Sequence, residues 1–406
     1  MIRSAISLGL IQIVGYVVPF ATLAVAGRLA PEFAISGFLF VQSLAALLAI
    51  IVEYGFHLSA VRMAGEAITS GTERWTYSTI HACKAILFMV SLAIGLAVAA
   101  FETQMKMTPD MLLGMSFAVF SYGARPMWYF QAYENYWRLI KIEITASALA
   151  LAAVTVVAQY LPHPGALAIA WSAPRFIATT VLIYGIHKTH GFEWVSLRRV
   201  VITLRDSLPL FLHKASASAV HLGIPVVIAF LLTQSYLLEF QRAERIFTAV
   251  QSLLLVVSQA SYALIVKQIS DCAANSRVAL RATFLQLGIS FMAAILVVLA
   301  APWLMMLFWG GRHADAVYLL RLYALGFPLL AINAALGLNY LLPRKRDVIV
   351  VGAAIFGATV TMVIVHPLTS LWGAQGAIVS VLSGEFCMLI VMSCGLLSGQ
   401  RATCHA

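Results

Sequence analysis

Long apolar runs dominate the chain and are separated by short polar segments. A helix needs about 20 mostly apolar residues to cross a bilayer. Strands of a transmembrane barrel would instead alternate apolar and polar residues over about ten positions. The pattern therefore predicts an all-α, polytopic membrane protein. Its twelve predicted spans lie near residues 5–27, 33–53, 83–101, 110–131, 142–161, 165–186, 207–232, 242–265, 283–308, 317–341, 348–367 and 374–397.

The composition supports this fold class. Of the 406 residues, 62% are hydrophobic and 10% are charged, whereas soluble domains have about 25% charged residues. The net charge of +10 is compatible with a nucleic-acid partner, but no basic cluster is dense enough, so none is expected. The five cysteines lack the spacing of a metal site, and we expect neither a metal nor a cofactor.

Lysine and arginine residues are divided unevenly between the connecting segments. With a cytoplasmic amino terminus, the inner segments hold 17 of the 26, including Lys84, and the outer segments hold 6. An excess of Lys and Arg over short loops marks the cytoplasmic side of a membrane protein. We therefore expect both termini in the cytoplasm.

A weak internal repeat suggests how the spans are grouped. The tetrapeptide Val-Gln-Ser-Leu occurs at residues 41–44 and again at 250–253, in predicted spans two and eight. Two six-span halves would share one orientation and be related by an axis along the membrane normal. We predict an amino-terminal six-helix bundle at residues 1–190, a cytoplasmic interfacial linker helix at 191–206 and a carboxyl-terminal six-helix bundle at 207–406.

Three cations interrupt the apolar spans: Arg125, Arg175 and Lys214. A cation at membrane depth costs at least about 2.5 kcal/mol unless it faces a polar cavity or a partner. Snorkelling to the headgroups is the alternative, and it suits Lys214 best because this residue lies near the end of its span. Arg175 lies near the middle of its span, so we expect it to face a cavity. Because guanidinium groups pair well with phosphate oxygens, these cations predict an anion site.

Three further arginines lie near the outer ends of predicted spans: Arg28, Arg242 and Arg245. Two interpretations are open. They line the outer opening of the anion site, or they pair with acidic residues close in sequence, namely Glu32, Glu239 and Glu244.

Ionisable groups inside spans also raise the question of ion coupling. Glu53, Glu385 and His221 fall within or at the end of apolar spans. A carboxylate in a low-dielectric site can carry a proton, so these residues are candidates for coupling to H⁺ or Na⁺. Alternatively, the carboxylates pair with embedded arginines and the histidine satisfies backbone groups.

The sequence contains little that indicates catalysis. It has no nucleophile elbow, phosphate-binding loop or His-Glu-x-x-His motif. We expect no catalytic residues. The aromatic residues between Trp128 and Trp137 predict an interfacial belt, with sugar stacking as the alternative.

Several segments together resemble the Wzx-type O-antigen and exopolysaccharide flippases of the multidrug/oligosaccharidyl-lipid/polysaccharide exporter superfamily. They are FVQSLAALLAIIVEYGFHLSAVRMAG at 40–65, PMWYFQAYENYWRL at 126–139, and residues 241–262 and 309–347. The resemblance covers most of the chain in family order. Glu53 and Arg62 both lie in the segment 40–65 that resembles the family. For this reason Arg62 is added to the candidate binding residues.

The resemblance implies two six-helix bundles around a cationic central cavity. It implies a flippase that moves a polyprenyl-pyrophosphate-linked oligosaccharide from the inner to the outer leaflet of the bacterial cytoplasmic (inner) membrane by alternating access. Such a protein would act in surface polysaccharide biosynthesis. Its partners would be membrane lipid, a polysaccharide polymerase and assembly proteins.

Three alternatives make different demands on the sequence. A cation-coupled multidrug exporter of the same superfamily should favour carboxylates in its cavity. A membrane glycan polymerase would need paired carboxylates on an outer face, and a non-transporting scaffold would need no buried cations.

Overall fold

The computed structural model describes the backbone of residues 21–101, 106–133, 136–267, 272–311, 313–342 and 346–403. Side chains are described for these residues except at 136, 213, 216–222, 234, 256–257, 259–267, 272–278 and 398–403. The described chain is helical and contains no strand, which confirms the predicted fold class. Most of the first predicted span, 5–27, lies outside the described residues.

The helices follow one another with short connections. In chain order they are α1 (residues 21–29), α2 (Glu32–Glu53), α3 (Phe56–Ser70), α4 (Glu73–Phe101), α5 (Pro109–Gly123), α6 (Met127–Ala132), α7 (Tyr136–Tyr160), α8 (Pro164–His190), α9 (Leu197–Leu231), α10 (Gln234–Lys267), α11 (Cys272–Trp309), α12 (Ala314–Ala324), α13 (Gly326–Ala334), a π-helix (Ala335–Leu341), α14 (Asp347–Trp372) and α15 (Ala374–Thr403). Within the described residues, 8 helical stretches are long and apolar enough to cross a membrane. The protein is thus a multi-pass membrane protein, and the number twelve stays a prediction.

The chain divides into two compact units, Met1–Phe230 and Leu231–Ala406, called here the N-unit and the C-unit. Helix α9 begins at Leu197, inside the predicted linker, and continues without a break to Leu231, through nearly all of the predicted span that follows. Its first turns pack on the N-unit, because Val200 lies in an apolar cluster with Phe56 and Tyr77. Only residues 191–196 of the predicted linker are non-helical.

Helix α11 shows how the apolar spans are arranged. Its outward stripe is large and apolar, and includes Phe291, Ile295 and Leu299. Its inward face carries the buried polar residues Gln286 and Ser290. Apolar side chains outside and polar side chains inside are what a lipid solvent requires.

The central helix of the N-unit is α2, most of which is buried. Small and polar residues let neighbours approach it. The Ser91 hydroxyl of α4 donates to the Leu48 carbonyl at 3.2 Å, and a β-carbon at Gly123 of α5 would collide with Val52. Close packing of this kind replaces the hydrophobic driving force, which is weak between helices in lipid.

Two turns break the helical chain of the N-unit. The long connection 54–82 between predicted spans two and three contains α3, which follows α2 after a turn at Tyr54 and Gly55 with φ of 47° and 73°. The predicted span 110–131 is two helices, because Pro126 disfavours a helical conformation at Arg125. We call these turns the first and second helix breaks.

A third interruption lies in the C-unit, where one predicted span is α12, α13 and the π-helix. Pro328 has no N–H to donate to Ala324, so the hydrogen-bond ladder is broken between α12 and α13. π-Helical turns often accompany functional sites. Asn339 lies in this turn, and its amide donates to the Thr283 hydroxyl at 3.1 Å.

Helices α14 and α15 pack through small residues. A β-carbon at Gly384 of α15 would collide with the Thr361 hydroxyl and would lie 2.6 Å from the Gly357 carbonyl oxygen of α14. Gly352, also on α14, has no heavy atom near its β-position. Gly384 and Gly352 therefore form a matched pair for testing this contact, because only Gly384 lies against the neighbouring helix.

We expect Gly384→Ala to destabilise the purified protein, because overpacking a close contact costs about 1–3 kcal/mol. Gly352→Ala should be neutral or stabilising, since alanine is the better helix former. Thermal melting in detergent measures both. Equal melting temperatures for the two variants would show that α14 and α15 do not approach at Gly384.

Candidate anion-binding site

Five charged side chains of the N-unit gather around the two helix breaks. They are Glu53, Lys84, Arg125, Glu143 and Lys214, and we call them the helix-break cluster. Three are cations and two are carboxylates. Lys84 connects the members, because it is close enough to Glu53, Lys214 and Arg125 to interact with each of them electrostatically.

Glu53 is the best-satisfied member of the cluster. Its Oε1 accepts the His57 backbone N–H at 2.7 Å and lies 3.0 Å from His57 Nδ1. Its Oε2 accepts the Gly55 N–H at 3.2 Å and lies 2.8 Å from Lys214 Nζ. The carboxylate thus caps the first turn of α3, whose N–H groups have no partner within the helix.

Helix α9 brings Lys214 to this carboxylate. The Phe211 ring stacks on the Tyr54 ring, with centroids 4.4 Å apart. Gly55 lies so close to the Phe211 backbone nitrogen that a β-carbon there would be 2.9 Å from it. Only glycine tolerates both this approach and the positive φ without strain, so the first helix break fits α9 closely.

Lys84 is buried within α4, with 3% of its surface exposed. Its Nζ donates to the Gly123 carbonyl at 2.8 Å and lies 5.8 Å from the centroid of the Phe56 ring. Gly123 ends α5, and helix carboxyl termini carry partial negative charge. The placement of Lys84 in a connecting segment was wrong, because α4 begins earlier than the predicted span.

Arg125 lies in the second helix break and pairs with Glu143 of α7, the closest N···O distance being 3.2 Å. Both side chains are partly exposed. Of the embedded cations predicted from the sequence, Arg125 and Lys214 are therefore brought into one cluster.

Arg175 is also buried, with 8% of its surface exposed, in the middle of α8. Its guanidinium donates to the Trp171 carbonyl at 2.7 Å and lies 5.6 Å from the centroid of the Trp171 ring. Among the described residues, no carboxylate lies within ion-pair distance of it. The positive charge is satisfied by a carbonyl and an aromatic face, and it is not neutralised.

The arginines of α10 are paired with acidic residues. Arg242 is 2% exposed and forms an ion pair with Glu239, and it donates to His313 Nδ1 at 2.8 Å. Arg245 lies 3.8 Å from Glu244. The sequence left open whether these arginines line the outer opening of the anion site or pair with acidic residues close in sequence. In the structure, Arg242 and Arg245 are paired.

Three further candidate residues are Arg28, Arg62 and His221. Arg28 and Arg62 are exposed, on α1 and α3 respectively. The backbone of His221 belongs to α9, but its side chain lies outside the described residues.

Glu385 of α15 is partnered by an asparagine and not by an arginine. The Asn333 amide donates to its Oε2 at 2.7 Å and to its backbone carbonyl at 2.9 Å. Within the described residues, no cation lies within ion-pair distance of this carboxylate. The Asn333 amide oxygen is itself buried without a hydrogen-bond partner there.

The aromatic segment near the second helix break is partly buried. Trp128 and Phe130 lie in the N-unit interior. Tyr129 packs against Tyr77, and its hydroxyl is 3.0 Å from His190 Nε2. The prediction of an interfacial belt was wrong for these residues, whose rings hold α6 against α4 and α8.

We expect Glu239→Gln to lower the melting temperature strongly, because removing one partner of a buried ion pair costs about 3 kcal/mol. The matched control is Asp315→Asn, an exposed carboxylate in the first turn of α12. It should change the melting temperature little. Similar melting of the two variants in detergent would mean that Glu239 does not stabilise Arg242.

Known proteins resemble this chain in sequence and fold. Residues 1–268 match the model of a family described as polysaccharide biosynthesis protein. A relative from Shigella dysenteriae, named "Putative O-antigen transporter", is 22% identical over 97% of this chain and 99% of its own length.

Solved structures show which fold the chain adopts. Lipid II flippase MurJ in an inward closed conformation has a TM-score of 0.77 at 12% identity, covering 97% of this chain and 87% of its own. An inward-facing multidrug resistance MATE family transporter of the MOP superfamily has a TM-score of 0.69 at 14% identity, covering 98% of each chain. The chain belongs to the polysaccharide biosynthesis protein family and has the fold of these MOP-type transporters.

Proposed function

We propose that the protein is a flippase for a polyprenyl-pyrophosphate-linked oligosaccharide. It would work by alternating access in the bacterial inner membrane, with both termini in the cytoplasm. The family and the relative named as an O-antigen transporter support a transporter of polysaccharide precursors and not an enzyme. The MurJ-like fold supports a lipid-linked substrate.

The observation that carries the proposal is the buried positive charge of Arg175. A guanidinium held by a carbonyl and an aromatic ring keeps N–H groups available for an anion. Its planar fork matches two oxygens of a phosphate. Arg175 would therefore contact the diphosphate, which is the charged part shared by all such substrates.

The helix-break cluster would supply further contacts to the diphosphate. Lys214 and Arg125 are partly exposed, so they can exchange their partners for a ligand. Lys84 is buried beside them and raises the local positive potential. Arg62 and Arg28 remain candidate contacts on the exposed parts of the N-unit.

A multidrug exporter of the same fold is the weaker interpretation. A site for cationic drugs needs uncompensated carboxylates, since opposite charges attract at short range. In the described N-unit interior, Arg175 and the helix-break cluster contain four cations and two carboxylates. This balance favours an anionic substrate.

Glu385 is the proposed site of ion coupling. A half-buried carboxylate with an amide as its described partner is poorly compensated, and binding H⁺ or Na⁺ would neutralise it. The free amide oxygen of Asn333 adds a second oxygen ligand beside it. Glu53 is a weaker candidate, because Lys214 and His57 already surround its carboxylate.

We expect Arg175→Ala to abolish export of the glycan while the protein still inserts, because the variant removes the uncompensated charge. Arg175→Lys should retain part of the activity, since the charge remains but the bidentate fork is lost. Surface labelling of the glycan measures export, and membrane fractionation measures insertion.

The matched control is Arg198→Ala, which removes an exposed arginine at the start of α9. It should export normally. Export at the control level by Arg175→Ala would exclude Arg175 from substrate binding.

We expect Glu385→Gln to insert normally but to lose the response of transport to an ion gradient. Glutamine imitates the neutral carboxyl group in size and shape. Translocation of the lipid-linked substrate is measured in proteoliposomes with an imposed H⁺ or Na⁺ gradient. If Glu385→Gln responds to both gradients as the unmodified protein and Glu66→Gln do, Glu385 is not the coupling site.

A further inference from the structure

We propose that Glu53 is a built-in competitor of the substrate's phosphate groups. Its carboxylate pairs with Lys214 when no substrate is bound. Lys214 then moves to the diphosphate when the substrate binds, and it pairs with Glu53 again when the head group leaves. This inference rests on the proposed function, because it assigns the partner of Lys214 during transport. Glu53 would therefore be a positioning residue that sets how tightly the head group binds.

The Glu53 carboxylate already accepts from Lys214, the cation that the phosphate would have to attract. Lys214 Nζ is 2.8 Å from Oε2. A phosphate oxygen that accepted this same N–H would replace the contact, and a phosphate that used another of the three N–H groups of Lys214 would still have to draw the ammonium charge away from Glu53. Substrate and Glu53 therefore compete for the same donor.

The geometry allows Lys214 to leave while Glu53 stays. Lys214 is 32% exposed and ends a flexible chain of methylene groups, whereas Glu53 is 14% exposed. Glu53 is held independently by the N–H groups of Gly55 and His57 and by the His57 ring. Its negative charge thus remains beside the site throughout the exchange.

The strength of the pair suits such an exchange. A partly exposed ion pair is weak compared with a fully buried one, so separating it costs little. A diphosphate carries more negative charge than one carboxylate and would displace Glu53 from Lys214. The remaining carboxylate would then compete to take Lys214 back, which prevents the diphosphate from binding too tightly to be released.

The pair also lies where α9 meets the first helix break. Phe211, one turn before Lys214, stacks on Tyr54, and the Ser207 hydroxyl donates to the Ser59 hydroxyl at 3.1 Å. These contacts keep the Lys214 backbone near the break after its side chain has moved. Lys214 can therefore return to Glu53 without refolding of α9.

The test is the affinity of the purified full-length protein for inorganic pyrophosphate, measured by titration calorimetry in detergent. We expect Glu53→Gln to bind pyrophosphate about 3- to 10-fold more tightly, the effect of removing one partly exposed competing charge. Lys214→Met should bind more weakly. In the double variant, the Glu53→Gln change should have little further effect, because the competition acts through Lys214.

Controls separate this role from a structural one. Glu66→Gln removes an exposed carboxylate of α3 and should leave the affinity unchanged. Glu53→Asp keeps the charge that caps α3 but shortens the reach to Lys214, so it should bind with intermediate affinity even if Glu53→Gln folds poorly. Thermal melting identifies any variant whose fold is lost.

Two outcomes distinguish this inference from the proposed function. If Lys214→Met weakens binding while folded Glu53→Gln and Glu53→Asp bind as the unmodified protein does, the competitor role is wrong and the anion site stands. If Lys214→Met also binds normally, Lys214 does not contact the diphosphate, and the inference fails together with that part of the proposed function.

Discussion

The charges inside this protein must be matched by polar groups of the protein, because lipid offers none. A regular helix has no spare polar groups, since its N–H and C=O groups bond each other. Each helix break provides such groups. The first exposes N–H groups that hold Glu53, and the second ends α5 so that the Gly123 carbonyl accepts from Lys84.

The buried cations of the two units are satisfied in different ways. In the C-unit, Arg242 is buried against a carboxylate three residues earlier on the same helix. In the N-unit, Arg175 and Lys84 donate to backbone carbonyls and lie near aromatic rings, which leaves their charge in place. The same kind of residue therefore stabilises a fold in one unit and produces a positive interior in the other.

Much of this fold could be predicted from the sequence, because apolar length alone specifies a membrane helix. Arg125, Arg175 and Lys214 were found because a charge interrupts an apolar span. Lys84 was missed because it lies near the edge of a predicted span, where a lysine is normal. Its burial depends on α4 extending further and on Gly123 ending α5, and both are tertiary facts.

The partners of the cations were harder to predict than the cations. Glu239 lies three residues before Arg242, and such spacing on a helix places two side chains together. Glu53 and Lys214 are far apart in sequence and meet only because α9 fits against Gly55. The positive φ at Gly55 favours glycine, but a glycine just after an apolar span does not reveal what packs on it.

The difference between exchangeable and fixed ion pairs has a functional consequence. A transporter must release what it binds, so each contact that it makes to the substrate must be easy to replace. Opening the buried pair of Arg242 and Glu239 would separate two opposite charges in a low-dielectric interior, which is expensive. The pair of Lys214 and Glu53 is partly exposed, and its carboxylate keeps other donors when the lysine leaves. A partly exposed cation beside a firmly held carboxylate therefore suits a site that fills and empties repeatedly, whereas a buried ion pair suits a permanent contact within the fold.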